Sequence, residues 1–527
     1  MTADAKTDVP EDLTGVPSLP LNDAQLGDLE LLLSGAFAPL AGFMRAADVT
    51  AVLDEGTLAD GTPWPIPVTL DVPRQAVPGN ADRVLLADPE GTGLALLDIT
   101  ERSELAARYG RSTGDARLTR LSGPVTGLRE PEHGPFRRLM LRPAQARAAL
   151  GDVPVLAYAT RGPLHSRQIG QLRHMAGQLR ARLLLLPLIT GQAEVVRRPE
   201  ALVRAVLAAA ASLPATTMVI PVPLAERSPR AGVEGQRELS ARALVAAAYG
   251  ASHLMIDGPA AGVAAAPSLP GETATAIPTV CAGDWAYDRV AEVWRPIALI
   301  EAGTERGDLS PDELADLLDA GAEVPAWFTP RAVARELRRA RPPRGERGFV
   351  LFLTGLSGSG KSTIARNLTD ILAERGDRKV SLLDGDLIRQ LLSSGLTFSR
   401  ADRDLNIMRI GFMAAEVARH GGIAICAPIA PYAAARARVR EMVTEVGDFL
   451  LIHVATPLEV CEARDRKGLY AKARAGLIDQ FTGISDPYEE PADADLTIDT
   501  STMTSEQAAE AVLGLLTAGG WLSAAPG

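Results

Sequence analysis

Lysine is scarce in this chain: among 527 residues only Lys6, Lys361, Lys379, Lys467 and Lys472 carry it. Arginine supplies the remaining cations, neither type forms a block or stripe, and the net charge is −11. A nucleic-acid backbone needs a concentrated basic face, so this composition argues against nucleic acid as the partner. Cysteine is rarer still. Cys281, Cys426 and Cys461 have no metal-ligand spacing and are too few for a disulfide framework, which fits a reducing cytoplasm. No apolar run reaches the ~18 residues of a membrane helix. The Ala-rich stretch Ala205–Leu213 comes nearest and reads as a packed helix, while Met1–Pro10 is polar and acidic with no apolar signal core. The chain is expected to be cytoplasmic, with neither membrane nor nucleic acid as partner.

Against that background one of the five lysines stands out. Residues 355–363 read Gly-Leu-Ser-Gly-Ser-Gly-Lys-Ser-Thr, one residue after the apolar run Phe349–Leu353. This is a complete phosphate-binding loop between a predicted strand and a predicted helix. Its glycines let successive backbone N–H groups curl around a polyphosphate, and the helix starting near Lys361 aims its positive end at the anion. Gly355, Leu356, Ser357, Gly358, Ser359, Gly360, Lys361, Ser362 and Thr363 are therefore the candidate ATP-binding set. Lys361 would reach the β- and γ-phosphates and Ser362 would sit on Mg²⁺.

A length of 527 residues suggests about three domains. The clearest boundary is the Pro- and Arg-rich stretch 341–347, a predicted linker after the helix Pro330–Ala340. Beyond it strands and helices alternate: Val380–Leu383, Ile407–His420, Ile423–Ala427, Phe449–Val454 and Leu458–Asp465. That alternation predicts a parallel sheet with helices on both faces. Residues 1–150 are rich in Pro and Gly, with strand candidates Pro67–Val72, Arg83–Leu86 and Gly93–Asp98. Residues 151–340 return to α/β, with strands Pro154–Tyr158, Leu183–Leu188 and Thr217–Pro221 and helices Ser166–Leu179 and Ala201–Ala211. The Ala/Pro/Thr-rich stretch Ala260–Cys281 reads as an exposed loop.

Downstream of the phosphate loop, strand Val380–Leu383 runs into Asp384-Gly-Asp386. Carboxylates at the C-terminal edge of a parallel strand face the crevice where such sheets bind ligands. One near Mg²⁺ and one near an acceptor hydroxyl is what phosphoryl transfer to an alcohol requires. Asp386 is the candidate to orient or deprotonate that hydroxyl and Asp384 to support Mg²⁺ through water, although the two roles are exchangeable at this point.

Nearly all of residues 347–502 resembles adenylyl-sulfate (APS) kinase. The resemblance rests on Asp384 to Arg389, on Phe398, Ser399, Asp402, Arg403, Asn406 and Arg409, on Lys467 to Arg474, and on Phe481 through Glu489. It implies ATP and APS as substrates and PAPS as product. On it, Asp384, Asp386, Arg389, Phe398, Arg403, Asn406, Ile429, Lys467, Phe481 and Thr482 are the APS-binding set. Phe398 and Phe481 would sandwich the purine, and Lys467 belongs to a lid that would close over the nucleotides. Two departures are visible. Ala430 stands where some members phosphorylate a serine, and Ala433 replaces an arginine.

Residues 20–340 resemble ATP sulfurylase, which makes APS from ATP and sulfate. Asp28 to Phe43, Trp64 to Leu70, Gly250 to His253 and Val324 to Phe328 carry the likeness. The family's active-site motifs are eroded. Thr160, Arg161, Pro163 and His165 survive, but Ala159, Gly162 and Gln168 replace a glutamine, an asparagine and the second histidine. A later motif aligns with Asp257 to Gly262 and has lost arginine, aspartate and histidine together. Sulfate attack on the α-phosphorus brings two anions together, so missing cations matter. The resemblance implies an α/β multidomain chain: a β-rich, PUA-like domain over 1–150, a Rossmann-like nucleotidyltransferase-type domain over 151–340, a linker over 341–347, and a P-loop kinase over 348–527. It further implies a homodimer. The expected activity is APS kinase with a degenerate sulfurylase region acting as scaffold or regulatory module. A bifunctional PAPS synthase, or a kinase for another small alcohol, remains open on these residues.

Overall fold

The computed structural model describes residues 13–105, 118–131, 134–191, 198–227, 233–257, 276–397, 399–465, 467–478 and 480–523. They form two compact units. The first comprises residues up to Leu314 together with Val324–Ala340, and the second comprises Ala315–Glu323 and Arg341 onward.

In the first unit the long strand Leu118–Gly127 is the hub of a seven-stranded sheet and pairs antiparallel with four others, including Leu70–Pro73 and Gly93–Asp98. A second sheet has five parallel strands in the order Met218–Val219, Arg182–Pro187, Val155–Thr160, His253–Ile256, Thr279–Cys281. The edge strand Thr279–Cys281 falls at the end of the stretch read as loop from composition, where β-branched residues pair with Leu254–Ile256. Residues 258–275 of that stretch lie outside the described ones. One apolar cluster of buried residues runs from Leu19 to Leu254, with members from both sheets.

The second unit holds five parallel strands in the order Val380–Leu383, Ile423–Cys426, Phe349–Thr354, Asp448–Val454, Leu496–Ile498. Successive strand residues point to opposite faces. Phe349, Leu351 and Leu353 enter the core that also takes residues of helices Lys361–Arg375 and Ser505–Ala518. Val350 and Phe352 enter the other, with residues of helices Arg400–Arg419 and Ala433–Thr444. The central strand is therefore apolar throughout, as expected of a strand covered on both sides.

The Pro/Arg stretch 341–347 begins at the unit boundary, but it is anchored. Arg341, Arg344 and Arg347 converge on Asp319 at 2.6, 3.3 and 3.1 Å, and Arg347 also pairs with Asp448 at 2.9 Å. Burial would raise the Asp319 carboxyl, but the hydrogen bonds and charges of Arg341 and Arg347 outweigh it and hold it below the usual range. A carboxylate with a depressed native pKa stabilises above its unfolded value of 3.8, and that contribution is lost as pH falls through the native one. Asp319→Asn is expected to destabilise this unit by about 2 kcal/mol at pH 7 and by much less near pH 3. Chemical denaturation at the two pH values measures it.

Candidate active site

The central strand Phe349–Thr354 hands over to the phosphate loop, and helix Lys361–Arg375 follows at once. Gly355, Gly358 and Gly360 have φ of 148°, 77° and 102°. A Cβ on Gly355 would lie 2.4 Å from the Val454 carbonyl oxygen, and one on Gly358 2.9 Å from that of Cys461. The glycine spacing is therefore set by backbone shape and by close approach to neighbouring chain. Side chains brace the loop from behind. Thr456 and Thr500 hydroxyls donate to the Ser359 carbonyl at 3.0 and 2.8 Å, and Tyr470 donates to that of Ser357 at 2.8 Å. Arg464 holds Thr500 in turn, donating to its carbonyl and hydroxyl at 2.8 Å each. With these carbonyls engaged, and the Gly355 and Ser359 amides bonded to the Ile429 and Leu356 carbonyls, the other loop amides are the groups that suit an anion.

Lys361 folds over the loop and donates to the carbonyls of Gly355 (2.8 Å) and Leu356 (2.7 Å) and to the Ser359 hydroxyl (3.3 Å). Its burial pushes the ammonium down to about 8, with Lys467 adding to the effect while Cys461, Asp386 and Asp384 oppose it. Asp384, Asp386 and Lys467 thus lie within electrostatic reach of the loop. Ser362 is half-buried and Thr363 exposed on the first turn of the helix. Asp384 caps helix Gly385–Leu391, accepting from the Asp386 N–H at 3.0 Å, and the Asp386 carboxylate pairs with the Lys467 ammonium.

Several of the residues expected on the acceptor side lie on helix Arg400–Arg419, whose N-cap Ser399 accepts from the Asp402 N–H. Arg403 and Asn406, one turn apart, are both largely buried. Arg403 reaches Thr482 (3.0 Å), Tyr432 (2.9 Å) and Asp486 (2.9 Å). Its Nε and the Oδ1 of Asn406 are buried without a hydrogen-bond partner among the described residues. An unspent donor and acceptor on one helix face suit a polar ligand. Arg389 donates to the Thr397 carbonyl at 3.0 Å. The Ile429 carbonyl accepts from Thr354 Oγ1 at 2.6 Å, which ties this loop to the central strand. Phe481 packs edge-on against Tyr470 with centroids 5.0 Å apart, and Phe398 lies outside the described residues. At Ala433, where the resemblance leads one to look for arginine, the helix amide is capped by Glu489 at 2.6 Å. Sequence reasoning singled out neither Thr456 nor Thr500. Both follow strand ends and carry no local motif.

The first unit's site falls where its parallel sheet reverses strand order, between Val155–Thr160 and His253–Ile256. The residues there are occupied with one another. Arg161 donates to the Thr190 carbonyl (2.6 Å) and the Leu224 carbonyl (3.0 Å) and pairs with buried Glu238 (3.2 Å). Thr160 Oγ1 closes a turn onto Gly162 at 2.8 Å. His165 bonds Thr329 at 3.0 Å and stacks on Phe328, and burial, aided by Arg167, pushes its imidazole down to about 4. It is neutral at pH 7. Gln168, at the place of the second histidine, accepts from the His165 N–H at 3.1 Å and caps helix Ser166–Leu179. Asp257 is engaged by Tyr158 and lies 3.8 Å from Arg167, which also pairs with Asp308.

Three family profiles match in chain order: a PUA-like domain over residues 1–109, ATP-sulfurylase over 137–340, and adenylylsulphate kinase over 347–499. Sulfate adenylyltransferase of Mycosarcoma maydis is 36% identical over 95% of this chain and 94% of its own. That of Phaeosphaeria nodorum is 35% identical over 96% and 94%. Among solved structures, the hexameric APS kinase from Thiobacillus denitrificans superposes with a TM-score of 0.72 and 35% identity, covering 96% of this chain and 94% of that one. No helix among the described residues is long and apolar enough to cross a membrane. With a PUA-like domain, a sulfurylase domain and a P-loop kinase domain in one polypeptide, this chain belongs to the sulfate adenylyltransferase family in the form that ends in an adenylylsulphate kinase domain.

Proposed function

We propose that the second unit phosphorylates APS to PAPS and that the first unit has lost sulfate adenylyltransferase activity, serving as scaffold or regulatory module. The observation that carries the kinase reading is the pairing of Lys361, buried under its own loop, with an Asp386–Lys467 ion pair close by. In the transfer, the bond from the γ-phosphorus to ADP breaks as one from the ribose 3′ oxygen forms. Asp386 takes the hydroxyl proton. Lys361 and the loop amides hold the charge that gathers on the phosphoryl oxygens. Lys467, held near Asp386, is placed to move onto the substrate anion. Among the described residues no cluster of three or more His, Cys, Asp or Glu side chains could hold a metal alone. The Ser362 hydroxyl and Asp384 carboxylate are hard oxygen donors of the kind that suits Mg²⁺, which takes its remaining ligands from water and substrate phosphates. When bound with ATP, Mg²⁺ would neutralise phosphate charge there.

The neutral His165 and the Arg161–Glu238 pair support loss of the first activity. Moving two anions together needs free cations, and here the imidazole is neutral and both terminal nitrogens of Arg161 are bonded to the protein itself, which leaves only its Nε unspent. A second reading, a bifunctional PAPS synthase, is favoured by the curated relatives, which are named sulfate adenylyltransferases over almost the whole length. Intact protein given ATP, Mg²⁺, sulfate and pyrophosphatase separates the two. The proposal expects no PAPS without added APS, whereas PAPS from sulfate alone establishes the bifunctional enzyme. Self-association belongs to the same reading. The family resemblance implies a homodimer, but the Thiobacillus protein is described as a hexamer, so sedimentation should look beyond two copies.

A further inference from the structure

We propose that Asp486 is the positioning residue that sets the APS side of the site, acting through Arg403 and through the turn that carries Phe481. The inference rests on the kinase reading and adds a residue to it. The Asp486 carboxylate holds two groups at once, ion-paired with Arg403 at 2.9 Å and accepting from the Tyr432 hydroxyl at 2.6 Å. Tyr432 also bonds the other arm of the same guanidinium at 2.9 Å, so the three side chains form a closed triangle. All three are largely buried: the Arg403 and Asp486 side chains are 12% and 15% exposed, and Tyr432 is 2% exposed. A guanidinium held on two sides in this way keeps one orientation, with its unspent Nε on the same helix face as the unspent Asn406 Oδ1.

The same carboxylate fixes a second substrate contact. Residues 481–486 fold into a self-bonded turn in which the Phe481 carbonyl accepts from the amides of Ile484, Ser485 and Asp486 at 3.1, 3.0 and 3.1 Å. Behind this turn lies a cavity of about 600 Å³, lined by Leu356, His453, Gly483, Asp486 and Tyr488 among others. The turn also packs, with the Phe481 ring edge-on to Tyr470 and the Leu356 and Leu458 side chains beside Gly483. The links from Arg403 to Thr482 and Asp486 are what attach it to helix Arg400–Arg419. One carboxylate therefore registers Arg403 and the Phe481 ring to each other.

The test is a steady-state comparison of intact wild type, Asp486→Asn, Arg403→Ala and the double variant, with APS and ATP varied separately. Asp486→Asn keeps the shape and one acceptor oxygen but removes the charge. It is expected to raise KM for APS about tenfold or more while KM for ATP and kcat stay within about threefold. Because Asp486 acts through Arg403, the double variant should be no worse than Arg403→Ala alone. Asp486→Glu should recover part of the APS affinity. An unchanged KM for APS, full additivity with Arg403→Ala, or equal loss for both substrates with a lowered unfolding temperature each overturns the inference. Wild type failing to turn over APS is a separate result that removes the kinase reading itself.

Discussion

Lys361→Met is expected to lower phosphoryl transfer by about a thousandfold, the scale of losing a buried charge-stabilising donor at the reacting group. Methionine matches the stem length and removes a charge that burial disfavours, which offsets the lost donations to the Gly355 and Leu356 carbonyls, so the variant should still fold at pH 7. The sign follows from linkage. The native pKa of about 8 lies below the ordinary 10.5, so the native state binds fewer protons between those values and wild-type stability rises with pH across that window. Lys361→Met should lack that rise. Catalysis runs the other way, because only the ammonium neutralises phosphate. Nucleotide binding should weaken above pH 8 and take up as much as one proton per site. Calorimetry at pH 8.5 in two buffers of different ionisation enthalpy reads that proton directly. Equal heats in both buffers would show that Lys361 is not the titrating contact.

The second large effect is expected at Asp386. Asp386→Asn removes the proton acceptor while keeping the shape, and should reduce kcat by about 10²- to 10³-fold. Nucleotide KM values should stay within a few-fold. Asp384→Asn separates the two carboxylates: it should raise the Mg²⁺ concentration needed for half-maximal rate and leave the rate at saturating Mg²⁺ much closer to wild type. If the two phenotypes are exchanged, so are the roles. Because the Asp386 and Lys467 side chains are more than half exposed, breaking their pair should hardly touch stability. A kcat loss accompanied by unfolding would contradict this assignment.

The phosphate loop was legible in the sequence because its glycines answer to a local backbone demand at Gly355, Gly358 and Gly360. Strands such as Val380–Leu383 and Gly93–Asp98, and helix Ser166–Leu179, were legible from short-range periodicity and coincide with the structure. What was not legible depends on contacts between distant residues. Thr456 and Thr500 brace the loop from the ends of two other strands, and Asp319 anchors Arg341, Arg344 and Arg347 from more than twenty residues upstream. The segment 341–347 looked like a tether from composition, since prolines and charges mark linkers until a buried carboxylate collects the charges. Helix Arg400–Arg419 was predicted only from Ile407, because its first turns are polar where they face the site. In the first unit the surviving motif letters Thr160, Arg161 and His165 were readable. That His165 is neutral and Arg161 paired inward was not, since Thr329, Phe328 and Glu238 come from remote parts of the chain.

The most direct measurement is ADP release by the intact protein with Mg-ATP, with and without APS, with the product's phosphorus followed by ³¹P NMR. Kinase action predicts ADP formation that depends on APS and a new 3′-phosphate in equal amount. ADP release indifferent to APS, or none in its presence, would contradict the account at its centre.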